Sequence, residues 1–215
     1  MKKIIFVLGI LFVCLPVWAQ TNLTRGLLSV HEDINNTPDL FVGNNTIYTI
    51  VINRFTRSIP EGAFSGTGVR NLTFEHPSFI TVIPNGTFAY NLFLVNANLP
   101  DNLLVIGESA FGSCVSLRRI TLPRSLREIQ FAAFWNTGLT HLFIPDSVEI
   151  IGPSILYGTD SIQTLRLPAN ADIHESNSFH HAYVTNERRA GVYARMNGTW
   201  VFRRDMTEAE FQAMH

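Results

Sequence analysis

Ile106-Gly107-Glu108-Ser109-Ala110-Phe111-Gly112-Ser113-Cys114, followed closely by Leu117-Arg118-Arg119-Ile120-Thr121-Leu122-Pro123, is one complete unit of a pattern the chain repeats. The first mark is an isoleucine followed five residues later by phenylalanine: Ile59/Phe64, Ile83/Phe88, Ile106/Phe111 and Ile129/Phe134. Ile151/Leu156 is a degenerate fifth copy, and successive isoleucines lie 24, 23, 23 and 22 residues apart. The second mark is a proline six residues before an isoleucine, at Pro77, Pro100, Pro123 and Pro145, with Pro168 continuing the series. The third is a run with apolar residues at positions 1, 4 and 6. It reads Val69-Leu72-Phe74, Leu94-Ala97-Leu99, Leu117-Ile120-Leu122, Leu139-Leu142-Ile144 and Ile162-Leu165-Leu167. Ile47-Ile50-Ile52 matches as well, without a proline after it. Three marks held in phase define a repeat protein.

The spacing has a physical reading. Positions 4 and 6 of each run alternate as a strand requires, one side chain in and the next out. The proline ends the strand, because it has no N–H to continue a ladder. The isoleucine begins a second short inward-facing segment. Gly107 and Gly152 beside it suit a tight corner. Ala63-Phe64, Ala110-Phe111 and Ala133-Phe134 then set one ring inward per coil. A coil of this length cannot bury its own apolar face, so neighbouring coils stack into a continuous core.

These segments resemble the BspA-like class of bacterial leucine-rich repeats, over roughly residues 47–179. The resemblance implies an α/β repeat solenoid with one parallel strand per coil and short turns or helical segments opposite. It also implies a secreted or surface protein that binds other proteins, as some relatives bind host matrix proteins. The family commonly carries a small buried cysteine where Cys114 stands. Two departures are the small number of coils and the extra Glu75 and His76 before Pro77.

The ends read differently. Lys2 and Lys3, the apolar run Ile4 to Val17 and the Val17-Trp18-Ala19 triplet form a secretory signal peptide over residues 1–19, cut before Gln20. That run is too short to span a bilayer, which takes about 20 apolar residues, so no membrane span is expected after cleavage. Residues 20–46 form an N-terminal cap, 47–179 the solenoid, and 180–215 a C-terminal cap. In that cap His180 to Ala190 reads as a polar connection. Gly191 to Arg203 reads as a hairpin about Asn197-Gly198, opposing Arg195 to Trp200 and Tyr193 to Phe202. Its aromatics serve either as a lid on the last coil or as an exposed patch. Thr207-Glu208-Ala209-Glu210 matches a capping box for a short helix, Glu208 to Met214.

A formal net charge of -1 gives no basic surplus for a phosphate backbone, so nucleic acid is not an expected partner. Two cysteines, Cys14 and Cys114, make no disulfide framework, and only Cys114 survives signal cleavage. No phosphate loop and no Gly-x-Ser-x-Gly elbow is present. Cys114 points inward and reads as an inert thiol rather than a nucleophile. His174, His180 and His181 with Glu175 offer ligand types for zinc, but adjacent histidines on a regular strand cannot face one metal. No cofactor is expected. Asn-x-Thr occurs at Asn22, Asn35, Asn44, Asn71, Asn85 and Asn197, and reads as Asn- and Thr-rich composition.

Alternation turns positions 3 and 5 of each run outward. The resulting ladder begins with Thr49 and Val51. Its candidate binding face is Asn71, Thr73, Asn96, Asn98, Arg119, Thr121, His141, Phe143, Thr164 and Arg166. Phe143, exposed between Arg119 and Arg166, would be the anchor. The leading expectation is an exported, non-enzymatic protein-binding solenoid. Its rivals are a self-associating component of a bacterial surface assembly and a metal-dependent protein using the histidine-rich loop.

Overall fold

The computed structural model describes residues 47–204 continuously, Glu210, and the backbone of four short strands, Ile4–Val7, Ile10–Val13, Asn22–Thr24 and Leu27–Val30. Apart from those strands and Glu210, the expected signal peptide, the expected N-terminal cap and the expected final helix lie outside the described residues.

Each coil has three sides. The first is the strand side. Leu27–Val30, Thr49–Ile52, Asn71–Phe74 and Asn96–Ala97 pair in parallel, with Thr49 beside Asn71 and Asn71 beside Asn96. An isolated bridge joins Asn98 to Thr121, and His141–Phe143 pairs in parallel with Thr164–Leu167. Positions 4 and 6 of the runs point into the core: Leu72, Leu142 and Leu165 are fully buried, as are Ile52, Ile144 and Leu167.

The second side begins at the prolines. Pro100, Pro123 and Pro145 each accept a hydrogen bond from the N–H three residues on, at Leu103, Leu126 and Val148 (3.1–3.2 Å). Those tight turns lead into two-residue strands, Val82–Ile83, Val105–Ile106, Glu128–Ile129, Ile150–Ile151 and Asp172–Ile173, all parallel. The isoleucine of each pair is buried and its neighbour faces out.

The third side is made of turns. Phe64, Phe88, Phe111 and Phe134 are fully buried there. Their rings stack at 5.5, 5.5 and 5.8 Å between centroids. The backbone follows the same column: the N–H of Phe64, Phe88, Phe111 and Phe134 donates to Thr87, Ala110, Ala133 and Ile155 of the next coil (2.9–3.0 Å).

The structure departs from the expected architecture at three points. A coil carries two strands, not one, because the isoleucine segment also closes a backbone ladder with its neighbours. The fold is therefore a β-solenoid, and His180–Thr185 is the helix of the described continuous segment. That helix replaces the polar connection expected there. Tyr183 anchors it: its side chain is buried, its hydroxyl donates to Pro168 O and accepts from Ala171 N–H (both 2.9 Å). Gly107 and Gly152 are small because of a close approach, not a corner. A Cβ at Gly107 would stand 2.8 Å from Asn85 N and Ile83 O of the coil beneath.

At the C-terminal end Gly191–Met196 pairs antiparallel with Thr164–Leu167 and with Thr199–Arg204. Asn197 and Gly198 both take positive φ, as a tight two-residue turn requires. Trp200 lies on the last coil, edge-on to Phe179 at 6.2 Å, and donates its indole N–H to Ser178 Oγ (3.0 Å). Tyr193, Trp200 and Tyr183 all join the main core. Here the hairpin's aromatics cover the end of the solenoid.

Candidate functional site

The strand side brings the ten candidate residues onto one side of the solenoid, in two separate sheets with the coil of Arg119 and Thr121 between them, but it does not leave all of them accessible. Asn96, Asn98, Arg119 and Thr121 are exposed. Asn71, Thr73, His141 and Thr164 are half-buried. Neighbours along the ladder are joined: Asn96 Nδ2 donates to Asn71 Oδ1 (2.8 Å), and His141 Nδ1 shares a 2.6 Å hydrogen bond with Thr164 Oγ1.

Phe143 and Arg166 are buried, at 7% and 5% exposure, which corrects the expectation of an exposed Phe143 anchor between Arg119 and Arg166. The guanidinium lies 5.0 Å from the centroid of the Phe143 ring. It forks onto both carboxylate oxygens of Asp146, the second at 2.9 Å from Nη2, and donates to Ile144 O at 3.3 Å. Val192, on the antiparallel strand beside Arg166, packs on Phe143. A stacked, forked arginine of this kind is rigid. The pair is an edge of the face and not its centre. Beside it opens a cleft of about 810 Å³, whose walls include Phe143, Asp146, Arg166, Arg188 and Ala190.

A second column positions the strand side from within. Thr67, Asn91, Cys114, Thr137 and Thr159 are all buried. Asn91 Nδ2 donates to Phe64 O and Phe88 O (2.8 and 2.9 Å), Thr137 Oγ1 to Phe134 O (3.0 Å), and Cys114 Sγ to Phe88 O (3.2 Å). These side chains satisfy carbonyls where the chain leaves the turn side and heads for the strand. The expectation of a buried Cys114 holds, and burial pushes its thiol up to about 12. The other four members were not singled out from the sequence. Their signal was there: each stands three residues after the phenylalanine or leucine of its coil.

His174 pairs with Ser176 (Nδ1 to Oγ, 3.0 Å), and His180 opens the short helix. Among the described residues no group of three or more His, Cys, Asp or Glu side chains could hold a metal ion. No helix among them is long and apolar enough to cross a membrane.

The family described as BspA type leucine-rich repeat region matches this chain in six copies, over residues 28–95 and 81–188. Among solved structures, a leucine-rich repeat protein from Bacteroides ovatus ATCC 8483 is similar at 23% identity and a TM-score of 0.57, covering 77% of this chain and 48% of its own. The pneumococcal vaccine antigen PcpA is similar at 20% identity and a TM-score of 0.50, covering 82% of this chain and 51% of its own. The chain spans about half the length of these two structures. No curated protein matches it.

Proposed function

The chain belongs to the family of BspA-type leucine-rich-repeat proteins, and from that premise we propose that it is an exported, non-enzymatic protein whose partner, another protein, docks on the strand side. Repeat scaffolds of this kind present rigid binding surfaces. The observation that carries the reading is the row Asn96, Asn98, Arg119 and Thr121. These four side chains are exposed on two adjacent coils that the Asn98–Thr121 bridge holds together. Side chains fixed on a sheet lose little freedom on binding. Two amides offer both donors and acceptors, and the arginine offers a fork for a carboxylate. Asn71, Thr73, His141 and Thr164 extend the row on either side. Host extracellular matrix proteins are the partner class we propose, and the N-terminal segment is the signal for export to the surface or medium.

The test is a pull-down with the chain against host matrix and bacterial surface fractions, followed by titration of the captured protein. Asn98→Ala with Arg119→Ala weakens binding about tenfold or more, roughly 1.4 kcal/mol, and leaves the melting temperature in place. Equal affinity of the double variant and the wild type removes the strand side as the site.

A further inference from the structure

We propose that an aromatic groove on the turn side is a second binding site, for a neutral oligosaccharide. Tyr90, Phe131, Trp135 and Tyr157 line a groove of about 490 Å³ together with the small side chains of Ser109, Ala132 and Ser154. Tyr90, Phe131 and Tyr157 are 56%, 46% and 74% exposed. Exposed aromatics gathered in one place mark an interaction site more often than isolated ones do, and the volume is that of a small-ligand site.

The groove is built rather than incidental. Trp135 lies over Gly112, where a Cβ would collide with the indole ring at Nε1 and Cδ1. Tyr90 meets Trp135 edge-on, with ring centroids 5.9 Å apart and planes at 80°. Aromatic side chains have few rotatable bonds, so a ligand that uses them costs little ordering.

The chemistry selects the occupant. None of the seven lining residues carries a charge, so charge complementarity favours a neutral ligand. The backbone ladder that runs beside the groove is already paired between coils. The N–H groups of Tyr90, Ser113 and Asn136 are already donated to Gly112 O, Trp135 O and Tyr157 O (2.7–2.8 Å). Binding by strand addition needs such groups free. A pyranose ring matches what remains. Its C–H face sits on the electron-rich face of an aromatic ring. Its hydroxyls meet the phenols of Tyr90 and Tyr157, the serine hydroxyls and the indole N–H. Tyr90 and Tyr157 stand on different coils, so the groove runs along the stack and suits several linked sugars.

The full chain is titrated with cellotetraose, maltotetraose and the tetramer of N-acetylglucosamine, following the indole N–H resonance assigned with Trp135→Phe. At least one of the three shifts that resonance saturably. Tyr157→Ala, which removes a mostly exposed ring, keeps the melting temperature and weakens binding about tenfold or more. Arg119→Ala on the strand side leaves saccharide binding unchanged, so this site and the protein-binding face succeed or fail separately. The proposal is overturned if none of the three sugars shifts the resonance, or if Tyr157→Ala binds as tightly as wild type. It is equally overturned if a proline-rich peptide occupies the groove and the sugars do not.

Discussion

Gly86 and Gly107 meet two different demands. Gly86 has φ of 59°, and a Cβ there would meet nothing within 4 Å. Gly86→Ala therefore costs about 1 kcal/mol through the backbone alone. Gly86→Asn recovers much of that, because asparagine tolerates the left-handed region. At Gly107 the obstacle is the coil beneath, so alanine and asparagine both force the coils apart, at about 1–3 kcal/mol. Chemical denaturation of the four variants separates the two cases. Cys114 gives a further test. Its thiol is neutral in the native state and holds its proton to about pH 12, so a thiolate-directed reagent labels it only after unfolding. The unfolded chain gives up that proton first, at lower pH. The stability contributed by the raised pKa is thus present below about pH 9 and is lost as pH rises toward 12. Cys114→Thr, which puts the residue type of Thr137 on the next coil into the column, lacks that alkaline loss in urea titrations across this window.

The phenylalanine column and the strand ladder are the elements that hold and display the surface. Phe111 sits between Phe88 and Phe134, stacked on each. Phe111→Ala removes a fully buried ring and costs about 3–5 kcal/mol. An unchanged melting temperature would show that the ring column does not hold the coils together. On the strand side the two halves respond differently to alanine. Arg119→Ala changes stability by less than about 0.5 kcal/mol, as an exposed position does. Phe143→Ala uncovers Val192 and strips the surface on which the buried Arg166 rests, so it lowers stability by about 2 kcal/mol or more. Comparing the two melting curves checks which half of the ladder is structural.

For the whole molecule, stability is a sum of coils and of the contacts between neighbours, so an end left open unwinds first. Trp200 closes the C-terminal end against Phe179 and the main core. Trp200→Ala costs about 3–5 kcal/mol there. Amide exchange then rises in Thr164–Leu167 and Asp172–Ile173 before it rises in Thr49–Ile52 and Asn71–Phe74. A uniform rise along all strands would mean that the solenoid unfolds as one unit and that the hairpin is not a local cap.

The repeat was legible in the chain because every coil poses the same local problem. Leu72, Leu142 and Leu165 recur in phase, and a side chain's inward or outward direction follows from alternation alone. Stacked rings at Phe64, Phe88, Phe111 and Phe134 follow from the same arithmetic. The second parallel sheet was only half legible, since two residues such as Val105–Ile106 become a strand only when the coils above and below complete their hydrogen bonds. Burial of Phe143 and Arg166 was not legible at all. Alternation correctly turns them away from the core, but their cover, Val192, arrives from a strand that folds back more than twenty residues later. The aromatic groove has the same origin: Tyr90, Phe131, Trp135 and Tyr157 are scattered over 68 positions, and the pitch of the coils alone brings them together. Local pattern decides what a coil buries within itself; contacts between distant segments decide what its outer faces can still reach.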